Sequence, residues 1–236
     1  MTSQRTLEDV FREICTREGP LRERLEDFSR AVRDLSLPFA EAYDDLVARL
    51  ERGEAGNGAP NIGDRMPSFL LPDSTGHLVL LDDLLRTGPA VLSFNRGHWC
   101  EYCAIELSAL SQAFDQIAAE GAAVLSIMPE TREFVAKARS SCGNRFEILS
   151  DIDNSYALEV GLVIWLGDRV RDIYLAHGLH LERYQRNGAW FLPIPATFVV
   201  GQNGVIAGRF VDPDFRRRMQ IDEIVVAIER ARQAGG

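Results

Sequence analysis

The sequence predicts an α/β protein in which a central mixed sheet is flanked by helices and preceded by a helical extension. Three observations carry this. From residue 68 onward, short apolar runs alternate with stretches of helical periodicity, the order that builds a sheet covered on both faces. Upstream of residue 53 the periodicity is helical throughout. Between the two regions, residues 53–63 form a linker rich in Gly, Asn and Pro, residues that interrupt regular structure. The expected division is therefore a helical extension over residues 1–55 and a main domain over residues 56–236.

The elements follow in order. Leu7, Val10, Phe11 and Ile14 fall at i, i+3, i+4 and i+7, one face of a helix. Gly19 and Pro20 end it, and Leu21, Leu25, Phe28, Val32 and Leu35 mark a second helix. Pro38 interrupts again, and Phe39, Tyr43, Leu46, Val47 and Leu50 mark a third. Each has one apolar stripe that must be covered, either by the main domain or by a second copy of the chain. A two-fold homodimer is the assembly expected in the second case. Residues 68–71 and 77–80 read as a hairpin about Asp73-Ser74-Thr75-Gly76. Residues 90–94, 122–128 and 146–149 read as strands, and 100–120, 130–141 and 154–161 as helices. Residues 162–189 have no clear period. Residues 197–200 and 205–210 form a hairpin about Gly201-Gln202-Asn203-Gly204, and Ile221, Ile224, Val225 and Ile228 mark a closing helix.

The chain has 236 residues, a formal net charge of −9 and 46% hydrophobic residues. Such a chain can bury a large core, and its charge disfavours non-specific binding to nucleic acid or to anionic membrane surfaces. No run approaches the length of a membrane span, and the N-terminus lacks a signal-peptide pattern. The expectation is a cytoplasmic protein, where thiols are mostly reduced.

The densest chemical signal is Arg96-Gly97-His98-Trp99-Cys100-Glu101-Tyr102-Cys103. Two cysteines two residues apart stand where the apolar run 90–94 passes into a helix. A thiol at a helix start lies near the positive end of the helix dipole, which favours the reactive thiolate. Cys103 shares a face with Leu107, Leu110, Phe114 and Ile117 and is placed on the buried stripe, while Cys100 lies one turn earlier. The expectation is that Cys100 attacks and Cys103 resolves the product. Arg96 and His98 would support the thiolate, and Glu101 would raise the pKa of Cys100. The bland alternative is two packed thiols. Zinc would need two further ligands, no second Cys-x-x-Cys exists, and His177 and His180 read as loop surface. No metal or cofactor is expected. Cys15 and Cys142 read as packed residues, and Arg216-Arg217-Arg218 as a solvated helix edge.

The arrangement resembles the peroxiredoxin-like (AhpC/TSA-type) proteins of the thioredoxin-like superfamily, from about Asn61 to the C-terminus. Residues 63–72 look like the family's opening strand, 80–85 like its following helical turn, and 192–200 like its proline-plus-strand segment. Residues 96–103 are similar to its Arg-Gly-x-Trp-Cys-Pro-Tyr-Cys, and Val211-Asp212-Pro213-Asp214 also fits. The resemblance implies a thioredoxin-like fold with Cys100 and Cys103 as a redox pair and a cis peptide at Ile194-Pro195 facing it. Two departures stand out. Typical members carry a Thr three residues before the attacking cysteine and an Arg near the later strand; with Cys100 attacking, these places hold Gly97 and Pro195. Glu101 replaces a Pro.

Three readings follow. The first is an antioxidant thiol peroxidase that reduces a hydroperoxide through Cys100 and Cys103 and is recycled by an external dithiol such as a thioredoxin. The second is a disulfide reductase, favoured by the cis proline and the missing Thr and Arg. The third is a specialised biosynthetic or redox-regulated binding protein, with Trp165, Tyr174, Tyr184 and Trp190 lining a ligand pocket.

Overall fold

A computed structural model describes residues 5–235. Its centre is a five-stranded sheet in the order β5-β4-β3-β8-β9. Strands β3 (Ala90–Phe94), β4 (Ala123–Met128) and β5 (Glu147–Ser150) run parallel. Strands β8 (Ala196–Val200) and β9 (Ile206–Val211) continue the sheet antiparallel on the other side of β3. All five residues of β3 are buried. This explains its nearly unbroken apolar run, with Ser93 the one polar residue, since a strand covered on both faces needs no polar alternation.

Ala90, Leu92 and Phe94 of β3 face one core layer with Leu125, Ile127 and Phe198. That layer is closed by the hairpin of β1 (Leu70–Pro72) and β2 (Leu78–Leu80), the turn α4 (Leu81–Leu85) and the short helix α8 (Ser155–Glu159). Val91 faces the opposite layer, formed by α5 (Glu101–Gln112), α6 (Phe114–Ala119), α7 (Arg132–Ser141) and α11 (Ile221–Gly235). The helix expected over 100–120 is thus two, divided at Ala113.

The first three helices are α1 (Leu7–Thr16), α2 (Leu21–Leu35) and α3 (Leu37–Arg52). Thr6 caps α1 through a reciprocal pair of bonds with Asp9, and Pro38 sits in the first turn of α3, where its missing N–H costs nothing. Their apolar stripes are covered within the chain. They share a core with α5, with Tyr174 of α9 (Asp168–Ala176) and with both Cys100 and Cys103. Arg24, 1% exposed, stitches this layer together. It donates to the carbonyls of Ile14 and Cys15 at the end of α1, and to Ser108 and Gln112 on α5.

Residues 162–189 contain β6 (Val163–Trp165), α9 and α10 (Leu181–Gln185), and β6 pairs antiparallel with β7 (Phe191–Pro193). The segment lacks a readable period because its elements are short and only partly buried. The Ile194–Pro195 bond is trans, contrary to the cis peptide implied by the resemblance; among the described residues no peptide bond is cis. The Ile194 N–H, next to this bond, is held by the Leu162 carbonyl at 2.8 Å, which fixes the backbone between β7 and β8. Among the described residues no helix is long and apolar enough to cross a membrane.

Candidate active site

The loop from β3 to α5 brings the two thiols together. Asn95 extends the pairing of β3 with β4, and Gly97 then turns the chain with φ +146°, a backbone region that favours glycine. A Cβ on Gly97 would lie 2.5 Å from Trp99 Nε1 and 2.8 Å from Glu130 Oε1, so the turn has no room for any side chain. Cys100 is the N-cap of α5, where its sulfur accepts the Cys103 N–H at 3.4 Å. Both cysteines are free and buried, 2% and 0% exposed, with their sulfurs 2.7 Å apart and sharing one S–H···S contact.

The groups around the two sulfurs are unequal. Cys103 Sγ accepts the Arg96 backbone N–H at 3.4 Å and is approached by Arg218 Nη2 at 3.6 Å. Arg218 is 3% exposed and is itself held by Glu106, 2% exposed, at 2.5 Å. Burial opposes charge on Cys103. The bond from Cys100, the Arg218 and Arg96 guanidiniums and the Arg96 N–H outweigh it and bring the Cys103 thiol down to about 7. Cys100 goes the other way. Burial and the adjacent Cys103 push it well above the ordinary thiol value, against the pull of the same two arginines. The two thiols titrate as a pair, and the close cation and backbone N–H contacts fall on the Cys103 sulfur.

Glu106 stands on a row of hydroxyls. Ser126, Ser93 and Thr197 are side by side on β4, β3 and β8. Ser93 and Thr197 donate to Glu106 Oε1 at 3.0 and 3.4 Å, and Asn95 Nδ2 donates to Ser93 and Ser126 at 2.7 and 3.2 Å. Sequence reasoning missed Glu106 and Arg218. A signal for the first was present: each of three apolar strands carries one hydroxyl residue, in Leu92-Ser93-Phe94, Leu125-Ser126-Ile127 and Ala196-Thr197-Phe198. No comparable signal marks Arg218. The run 216–218 is not the solvated helix edge expected: it lies in an irregular loop after β9, with Arg217 mostly exposed and Arg216 tied to Asp214 and Asp44.

The remaining expected residues are placed as follows. Arg96 is 3% exposed, lies over the Phe215 and Trp99 rings at 4.2 and 5.3 Å, and donates to Tyr174 Oη at 2.6 Å. Among the described residues its Nε has no partner. His98 does not turn toward the thiols. Its backbone N–H and its Nδ1 both meet buried Glu130 at 2.8 Å, and its ring stacks on Phe134. Glu101 is exposed, yet protein crowds it closely enough that desolvation raises its carboxyl. The shift at Cys100 comes chiefly from burial and Cys103, not from Glu101 as the sequence suggests. Pro195 lines a gap of about 10 Å³ with Arg96 and Phe215. The four aromatics expected to line one pocket are dispersed: Trp165 is exposed beneath Arg49, Tyr184 packs on His98, and Tyr174 packs on Trp99 and Trp190.

The AhpC/TSA family model matches residues 62–209, well over half of the chain. The match contains both cysteines and Glu106 and stops short of Arg218. No curated protein matches in sequence. Among solved structures, peroxidoxin BcpB from Mycobacterium tuberculosis is 20% identical with TM-score 0.55, covering 71% of this chain and 96% of that one. Mycobacterium tuberculosis AhpC is 16% identical with TM-score 0.53, covering 75% and 95%. A thiol peroxidase from Chromobacterium violaceum is 20% identical with TM-score 0.52, covering 75% and 88%. At these identities the structural likeness is one of fold, and the family match adds the chemistry. The chain belongs to the AhpC/TSA family, as a peroxiredoxin-like thiol oxidoreductase on a thioredoxin-like fold.

Proposed function

We propose that this protein reduces hydroperoxides by a dithiol–disulfide cycle in which Cys103 attacks and Cys100 resolves, the reverse of the order suggested by the sequence. The observation that carries the order is the convergence of the Arg218 guanidinium and the Arg96 N–H on the Cys103 sulfur. The Cys103 thiolate attacks one peroxide oxygen, the O–O bond breaks, and an alkoxide leaves as Cys103 becomes a sulfenic acid. The Cys100 proton is placed to neutralise the alkoxide. The Cys100 thiolate then attacks the sulfenic sulfur, forming the disulfide and expelling hydroxide. One peroxide is reduced by two electrons, and the dithiol is oxidised by two. An external dithiol such as a thioredoxin returns the pair to its reduced form.

With Cys103 attacking, the place three residues earlier, where typical members carry a Thr donor, is held by Cys100, whose thiol would donate once Cys103 is ionised; in the structure the Cys103 S–H donates to Cys100. The unpaired Arg96 Nε is available to a peroxide oxygen. Both sulfurs are buried, so a small peroxide oxygen reaches them more readily than a bulky disulfide, and exchange with a protein dithiol during recycling requires the site to open.

The test is to mix reduced protein with one equivalent of hydrogen peroxide, follow Trp fluorescence by stopped flow and trap sulfenic acid for mass spectrometry. Cys100→Ser is expected to accumulate sulfenate on Cys103, and Cys103→Ser to form none. The opposite pattern would reverse the roles. A wild-type change no faster than that of an ordinary thiol would end the peroxidase reading.

A further inference from the structure

Beside the dithiol lies a feature that the redox chemistry does not use. A cavity of about 210 Å³ opens next to Trp99 and Glu101, the two neighbours of Cys100. Much of its wall comes from helices outside the family-matched segment: Leu7 of α1, Phe28 and Val32 of α2, and Phe39 of α3.

We propose that this cavity seats an uncharged, ring-bearing organic group, and that the N-terminal helices thereby select compact neutral hydroperoxides over anionic ones. The inference rests on the peroxide-reducing reading and adds a binding site to it. Size is the first argument. An apolar cavity of about 150 Å³ takes up benzene, so this one holds a ring with a short branched substituent. Lining is the second. Phe28, Phe39 and Trp99 offer ring faces and edges, the partners that aromatic ligands prefer.

Charge is the third. The chain has 26 Lys and Arg residues, and none lines the cavity. The cation nearest to Trp99, Arg96, is committed to Tyr174. The ionisable side chains on the walls, apart from tyrosines, are Glu101 and His177. His177 must donate from Nδ1 to the Ile173 carbonyl, at 2.8 Å, and its ring packs on Phe39. An anionic ligand would therefore meet the Glu101 carboxylate on the wall itself, while the one cation near, Arg96, lies behind the Trp99 and Tyr174 rings and is already bonded to Tyr174.

The experiment titrates the reduced full chain with 2-phenyl-2-propanol, an unreactive alcohol, and with 2-phenylpropionate, an anion of similar size, by calorimetry. Saturable binding of the alcohol is expected, with the anion weaker by about tenfold or more, and with Glu101→Gln narrowing that gap. Val32→Trp, which fills the cavity, is expected to abolish alcohol binding; if that variant does not fold, Leu7→Trp at the half-exposed wall serves instead. No alcohol binding to the wild type, equal binding to a folded cavity-filled variant, or equal affinity for the anion would overturn the proposal. Binding is read without turnover. A protein that binds the alcohol but reduces no hydroperoxide would retain the pocket and lose the peroxidase reading, whereas turnover without alcohol binding would do the opposite.

Discussion

Cys103 and Cys142 are both buried, yet their surroundings push their thiols in opposite directions. Cys103 lies in the first turn of α5, with an arginine and a backbone N–H on its sulfur, and is brought down to about 7. Cys142 is the C-cap of α7, with burial as its main influence, and is pushed up to about 12. Cys15, in the last turn of α1, is likewise pushed up by burial to about 11, although Arg24 is near. The lesson is that burial alone makes a thiol inert. A buried thiol is eased toward charge where a cation and a backbone N–H contact the sulfur itself, as at Cys103; a helix start alone is not enough, since Cys100 caps the same helix and is pushed up. At the end of a helix the dipole adds to the penalty.

The largest expected effect removes the favoured sulfur. Cys103→Ser should lower peroxide reduction by roughly a thousandfold or more, measured as the stopped-flow rate of the first turnover. Comparable loss in Cys15→Ser would break the comparison. Next comes the cation. Arg218→Gln should slow the first turnover at neutral pH by roughly a hundredfold, with Arg218→Lys between it and the wild type. The sign can be followed by pH. The thiolate is present above the thiol pKa, so the wild-type rate should rise through about pH 7. In Arg218→Gln that rise, and the growth of thiolate ultraviolet absorbance, should move to higher pH. An unchanged midpoint in a folded variant would remove Arg218 from the account.

A structural effect follows. Gly97→Ala forces a Cβ against Trp99 and Glu130 at a positive φ. It should cost about 2–4 kcal/mol of stability, read from chemical denaturation. The smallest effect sharpens the contrast from the other side. Cys142→Ala should leave the peroxide rate within about twofold and cost about 1 kcal/mol, since only packing is lost.

The sites differ in how legible they were. The Cys-x-x-Cys pair, the run 90–94 as a strand and the three N-terminal helices could be read directly. Each depends on spacing over a few residues, where backbone periodicity and capping act. The order proposed for the two thiols could not be read. It depends on Arg218, which reaches Cys103 from 115 positions along the chain, and on Glu106, which looks in sequence like any helix carboxylate. The sequence also pointed His98 at the thiols, but Glu130 of a different loop claims it.

The chain by itself determined the elements, the redox pair and the position of that pair at a strand-to-helix junction, because hydrophobic period, helix breakers and motif spacing are local. Only the tertiary structure decided which groups meet each sulfur and what packs beside the pair. Charge stabilisation in a buried site depends on distances of a few ångströms between residues far apart in sequence. The covering wall is likewise a tertiary product: the stripes of α1, α2 and α3 find their cover on α5 and α9, and so form a cavity beside Trp99 and Glu101 that no single stretch of the sequence encodes.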